Sequence, residues 1–185
     1  MISIYYSEQF QKKEHGSQES RRLLDRVLRE YCGLSGQVTV RTEKQGRRYI
    51  DERSGIFFSV THTDRFWFCS VYNQRHGIDA ELWSRNLSSP RRLAARFLTE
   101  PEQRELSSRT DEEAYRKRLI WLWTRKEAYL KYTGEGLYGL SRAPSVLEAP
   151  GGLVLRTVDR NGVCFSVCAG KEAALTDFEW IRLKE

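Results

Sequence analysis

Alternation and helical spacing divide the chain into a strand-led first part, a helical middle and a strand-rich end. Residues 2–6 are a short apolar start with strand character. Between residues 19 and 31, Leu23, Leu24, Val27 and Leu28 fall at helical spacing, with Gly33 just past the end. Residues 38–42 alternate as a strand does, and Gln45-Gly46-Arg47-Arg48 is a polar turn with basic side chains. Residues 56–60 are apolar and β-prone, and Thr61-His62-Thr63-Asp64 then interrupts the pattern with four polar residues. Residues 66–72 form a strong aromatic strand, and residues 73–76 read as a hairpin loop into a strand at 77–82. On that strand Ile78, Ala80 and Leu82 share one face, and Asp79 and Glu81 share the other.

Residues 84–90 are polar and contain Pro90, which marks a hinge dividing the chain into 1–83 and 84–185. A helix pair follows at 91–98 and 100–106, the second capped by Thr99 with Pro101 in its first turn. Residues 111–132 predict the longest helix, with Tyr115, Leu119, Leu122 and Trp123 inward and Gly134-Glu135-Gly136 ending it. Strands are expected at 152–158, 163–169 and 178–183, with turns at Pro150-Gly151 and Asn161-Gly162. The order strand, helix, strands thus occurs twice and hints at a duplication, with no sequence repeat to prove it.

Composition supports a packed core: 39% of the 185 residues are apolar and 12% aromatic. Lysine and arginine exceed aspartate and glutamate by 31 to 25, and the +6 balance suits a phosphorylated or acidic partner. Cys32, Cys69, Cys164 and Cys168 lack C-x-x-C spacing, so they are expected to pack as thiols in the cytoplasm. No run approaches the ~18 apolar residues of a membrane span. Phosphate-loop, dinucleotide-fold, zinc-protease and serine-elbow motifs are absent, and His15, His62 and His76 have no ligand spacing.

The chemistry concentrates in two places. Asp79 and Glu81 put two carboxylates on one strand face, and such a pair repels unless a cation or donor stands between them. Mg²⁺ takes hard oxygen ligands of this kind together with substrate phosphates. Glu127 and Lys131 lie in line with Trp123 on one helix face. Each pair also has an ordinary reading, as a solvated strand face and as a surface ion pair. Three acids and a lysine on rigid elements are the parts that hold Mg²⁺ against a diphosphate. Thr61 and His62 offer phosphate donors, and Arg21, Arg22, Arg47 and Arg48 offer guanidinium groups.

In order, these pieces resemble the 4′-phosphopantetheinyl transferases of the surfactin-type branch. That family carries G-[IV]-D-x-E on a strand and W-[ST]-x-K-E-x-x-x-K on a later helix. This chain has Gly77-Ile78-Asp79-Ala80-Glu81 and Trp123-Thr124-Arg125-Lys126-Glu127-Ala128-Tyr129-Leu130-Lys131. Phe58-Ser59-Val60-Thr61-His62-Thr63, Arg96-Phe97-Leu98-Thr99-Glu100-Pro101-Glu102, Gly134-Glu135-Gly136-Leu137 and Val167-Cys168-Ala169 are similar to further family segments. Thr61 stands where the family usually has Ser and Arg47 where Lys is frequent. The chain is also shorter than most members, the shortfall lying before Ser20, where Lys12, Lys13, Arg21 and Arg22 are the basic residues at hand.

The resemblance implies an α+β fold of two similar subdomains, a pseudo-dimer. Each would be a small, mostly antiparallel sheet packed with helices, with the active site at their interface. It implies transfer of 4′-phosphopantetheine from coenzyme A to a serine hydroxyl of an acidic apo carrier protein, with adenosine 3′,5′-bisphosphate released. Asp79, Glu81 and Glu127 would hold Mg²⁺, Glu127 or a water it orients would act as base, and Lys131 would neutralise phosphate oxygens. Arg47, Thr61 and His62, with Arg21 or Arg22, would hold the coenzyme's 3′-phosphate. A cytoplasmic monomer without nucleic-acid or membrane partners is expected. The residues also leave open a Mg²⁺-dependent nuclease or phosphatase using the same acids, and a basic nucleic-acid-binding protein.

Overall fold

The structure, a computed structural model, describes residues 1–10, 12–35, 38–51, 54–173 and 177–184, with backbone alone for 12–15. The side chains of Lys12, Lys13 and His15 therefore lie outside the described residues. The protein is α+β, and its layers follow from which strands are apolar on both faces.

Strand β1 (Ile2–Ser7) is central to a four-stranded sheet, running antiparallel to β5 (Phe66–Tyr72) and parallel to β9 (Phe178–Arg182). Strand β4 (Phe57–Thr63) pairs antiparallel with β5 and closes one edge, giving the order β4-β5-β1-β9. A second sheet has the order β6-β8-β7, from β6 (His76–Leu82), β8 (Val163–Gly170) and β7 (Leu153–Arg160), all antiparallel. A two-residue ribbon, β2 (Arg41–Thr42) with β3 (Arg48–Tyr49), flanks the first sheet.

Period-two alternation decides which residues meet which layer. Ile2, Ile4, Phe66 and Phe68 face the second sheet, where Ile78, Ala80, Val163, Phe165 and Val167 meet them. On the other side, Tyr5, Trp67 and Cys69 pack under α1 (Lys12–Arg26) and the turn that continues it, through Leu23, Leu24, Val27 and Leu28. The far face of the second sheet is covered by α4 (Glu112–Thr133), against which α2 (Pro90–Phe97) and α3 (Glu100–Ser107) pack. The result is four layers: helix, sheet, sheet, helices. Residues 66–70 are buried on both faces for this reason, lying between α1 and the second sheet.

Four expectations are corrected. Residues 73–76 do not make a β5–β6 hairpin, because β6 leaves the first sheet and pairs with β8. His76 marks the departure: its buried ring contacts Ser70 Oγ at 2.6 Å and the Gln74 carbonyl at 3.0 Å. Nor does the strand end at Val60. It continues through Thr63, because the hydroxyls of Thr61 and Thr63 find carboxylate partners on the buried face. Only Arg41–Thr42 of the strand expected at 38–42 forms. The first helix also begins earlier, at Lys12, and finishes in a π turn at Val27–Tyr31.

The long helix is delimited as its sequence suggests. The Asp111 carboxylate accepts from the Ala114 N–H at 2.6 Å, and Gly134 ends the helix in the left-handed region at φ 82°. Arg75 donates to the Tyr132 and Thr133 carbonyls at 2.6 and 2.7 Å, placing a cation at the helix C-terminus. The four cysteines are free thiols, and Cys164 contacts the Thr124 hydroxyl at 3.3 Å. Among the described residues, no helix is long and apolar enough to cross a membrane.

Candidate functional site

Gly77 makes the site possible. A Cβ placed on it would lie 2.3 Å from the Ala128 carbonyl oxygen and 2.5 Å from the Tyr132 nitrogen. Only a residue without a side chain lets β6 lie this close to α4. Two residues further along β6, Asp79 therefore stands within reach of Lys131, whose Nζ donates to Asp79 Oδ1 at 2.8 Å. One turn earlier on the same helix face is Glu127.

The three acids are held differently. Asp79 is buried and accepts from both Lys131 and the Thr61 hydroxyl, the latter at 2.8 Å. Glu81 pairs with Arg85 at 2.5 Å and accepts from Thr63 at 3.3 Å. Glu127 is half-buried, and its carboxyl is pushed up to about 7. Burial is the largest cause, and the negative charge of Asp79 adds to it. Lys131 opposes the rise, and Glu81 contributes less.

A cleft of about 300 Å³ opens beside these groups. Glu127 and Lys131 line one side; Arg47 stands on the β2–β3 turn, Arg48 opens β3, and Phe58, Ser59 and Val60 belong to β4. Glycine again sets the fit. At Gly136, with φ 56°, a Cβ would lie 2.4 Å from the Gln45 carbonyl oxygen, so the turn after α4 closes directly on the β2–β3 turn. Arg47 also forms a 3.5 Å ion pair with Glu43. The Arg48 guanidinium has its pKa lowered by burial, with a smaller contribution from the nearby Arg21 charge.

The proposed residues thus fall into groups. Asp79, Glu127, Lys131 and Thr61 meet at one end of the cleft, with Glu81 next along β6 and Arg47 in the cleft wall. His62 projects from the opposite face of β4 to Thr61, and its ring stacks on Phe10 at 5.1 Å. Arg21 and Arg22 are exposed on α1, and the charge of Arg21 reaches Arg48. Two further contributors are Arg48, which the sequence offers only as one of several guanidinium groups, and Thr63, which the sequence presents as part of a polar break.

The donor set is of the kind a hard divalent cation takes, all carboxylate oxygens. The raised pKa of Glu127 points the same way: positive charge falls short here. As arranged, Asp79 turns to Lys131 and Glu81 to Arg85. Among the described residues no group of three His, Cys, Asp or Glu stands ready to hold a metal ion. The residues fit Mg²⁺ in kind, and taking it requires the acids to exchange their present cations.

Comparison with known proteins agrees with the motifs. Residues 75–174 match the 4′-phosphopantetheinyl transferase superfamily. The chain is 37% identical over 122 residues to the 4′-phosphopantetheinyl transferase HetI of a Nostoc species, covering 63% of this chain and 51% of HetI. It is 30% identical over 174 residues to the 4′-phosphopantetheinyl transferase psf-1 of Bacillus pumilus, covering 85% and 72%. Against the 4′-phosphopantetheinyl transferase Sfp of Bacillus subtilis it is 26% identical over 142 residues, covering 74% and 62%. The chain therefore spans from about half to under three quarters of these relatives.

Proposed function

The chain belongs to the 4′-phosphopantetheinyl transferase superfamily, and from that premise we propose that it modifies a carrier protein with coenzyme A as co-substrate. In this reading, a serine hydroxyl of the apo carrier attacks the phosphorus that bears the pantetheine arm. The bond from that phosphorus to the bridging oxygen breaks, and adenosine 3′,5′-bisphosphate departs. The motifs further suggest the surfactin-type branch.

The observation that carries the proposal is the convergence of Glu127, Lys131 and Asp79 at one end of an arginine-lined cleft. Attack by a neutral alcohol on an anionic phosphoryl group needs a base, positioning and charge neutralisation. Glu127, or a water it orients, is the base: burial and the Asp79 charge raise its carboxyl to about 7, which makes it basic enough to take the serine proton. Lys131 carries its ammonium beside Glu127 and neutralises phosphate oxygens from the same helix face. Asp79, Glu81 and Glu127 would hold Mg²⁺, which would supply further neutralisation of the diphosphate. Arg47, with Arg48 beside it, binds the coenzyme's phosphates from the cleft wall. His62, Arg21 and Arg22 are assigned to the 3′-phosphate at the outer end. Thr61, assigned there by resemblance, already donates its proton to Asp79.

The two-half reading is part of the same proposal. With the boundary at residue 84, β6 and β9 are the strands by which each half completes the sheet of the other. The +6 net charge suits an acidic carrier, approached by a monomeric, cytoplasmic enzyme.

Intact-protein mass spectrometry of an apo carrier incubated with the chain, coenzyme A and Mg²⁺ tests this directly. A gain of one phosphopantetheine, absent with EDTA and absent for Glu127→Gln, is expected. Hydrolysis of coenzyme A with no gain on any carrier would replace the transferase by a nuclease or phosphatase.

A further inference from the structure

We propose that Thr61 and Thr63 are positioning residues that hold the two carboxylates of β6 in one orientation. The inference rests on the transferase reading and departs from it at one place, since it takes Thr61 away from the phosphate. Strands β4 and β6 stand at the edges of different sheets. Side chains join them instead, at every second residue of β4. Ser59 Oγ accepts from the Ile78 N–H at 3.1 Å, Thr61 Oγ1 donates to Asp79 Oδ1 at 2.8 Å, and Thr63 Oγ1 donates to Glu81 Oε2 at 3.3 Å. The partners advance together, so the strands run the same way with their inward faces in phase.

This arrangement does what a lone strand cannot. A carboxylate on a strand face turns about its own side-chain bonds and, beside another acid, turns away from it. Here each acid accepts from a hydroxyl on the facing strand. Both hydroxyls are buried: Thr61 is 5% exposed and Thr63 is 4%. Threonine suits the task better than serine, because its β-branch restricts χ1 and aims the hydroxyl. A hydroxyl has one proton, and a proton given to a carboxylate is not available to a phosphate oxygen. Lys131 also reaches Asp79 Oδ1, so this acid is held from both the strand and the helix.

The test compares Thr61→Val, which keeps the shape and loses the proton, with Thr61→Ser, which keeps the proton. Three quantities are read: Mn²⁺ binding without coenzyme A, kcat and KM for coenzyme A in carrier modification, and the melting temperature. Thr61→Val is expected to weaken Mn²⁺ binding and lower kcat by about tenfold or more, the effect of a lost hydrogen bond to a charged group. KM for coenzyme A should stay within about twofold and Thr61→Ser should recover most of both losses, since the carboxylate bond alone is altered. Thr63→Val should follow the same pattern more weakly, its bond being longer. A raised KM for coenzyme A with kcat and Mn²⁺ binding intact would return Thr61 to the phosphate and overturn the proposal. Losses that track the melting temperature and are not rescued by serine would make the residue merely structural and overturn it too. A wild-type chain that binds Mn²⁺ but modifies no carrier would sink the transferase reading alone, and the Mn²⁺ comparison would still decide the role of Thr61.

Discussion

Two of the lysines on helix α4, Lys126 and Lys131, stand five positions apart, each paired with an acid of another element, and their surroundings follow opposite rules. Lys126 and Glu102 are both 0% exposed, with Nζ 3.1 Å from Glu102 Oε2. Both partners are further hydrogen-bonded: Lys126 also donates to the Pro144 carbonyl, and Glu102 accepts from the Val146 and Thr99 N–H groups and the Thr99 hydroxyl. One positive charge meets one negative. About 140° further round the helix, Lys131 meets Asp79, and the neighbourhood holds three acids against Lys131 and Arg85. Negative charge is in excess, and Glu127 answers by keeping its proton up to about 7. The contrast separates structure from chemistry. A buried cluster that is balanced in charge ties α3, α4 and the segment at Pro144 together, whereas an unbalanced one has capacity left for a ligand.

The sharpest way to break this contrast is at the balanced pair. Lys126→Met would leave Glu102 buried without its cation, and losing one partner of a buried pair costs about 3–5 kcal/mol. Urea denaturation should show a large drop in midpoint with the slope unchanged. An unaltered midpoint would mean that the pair does not hold the helices, and the distinction between the two sites would fail.

How much of this was legible in the chain depends on the range of the interaction. The acid face of β6 and the Glu127–Lys131 line on α4 follow from periods of 2 and 3.6, which are local. Which strand β6 pairs with is not local, and its partner β8 lies more than eighty residues away in sequence. Thr61 and Thr63 looked like a break because polar residues usually end a strand. Their burial depends on acids supplied by another strand, which no window of β4 contains. Glu102 left a readable trace, the T-x-x-E pattern from Thr99 that forms a capping box. Lys126 left none, since a lysine beside a glutamate on a helix reads as surface until its partner on α3 is known.

A second, smaller effect is expected at Gly77. Alanine there puts a methyl against the α4 backbone, and overpacking of this kind typically costs about 1–3 kcal/mol. The strain falls on the β6–α4 contact that brings Asp79 to Lys131, so carrier modification should fall further than the melting temperature alone explains. A Gly77→Ala chain with wild-type stability and activity would show that the close approach is not what assembles the cleft.

The smallest effect tests the charge excess itself. A carboxyl at about 7 when folded, against an ordinary 4.5, binds more proton in the folded state than in the unfolded one between those values. Its contribution to stability is therefore full below about pH 4.5 and declines as pH rises through 7. Glu127→Gln cannot ionise, so the variant should gain on wild type between pH 5 and pH 8. The gain should be on the order of 1 kcal/mol once solvent screening of a half-buried group is allowed for. Melting temperatures of both proteins at the two pH values measure it, and taking the difference removes every other titrating group the two share. In the wild type, carrier modification should rise over the same interval, as the base loses its proton. If the two melting curves move in parallel with pH, Glu127 ionises at no penalty, the cleft holds no excess of negative charge, and it resembles the balanced pair across the helix.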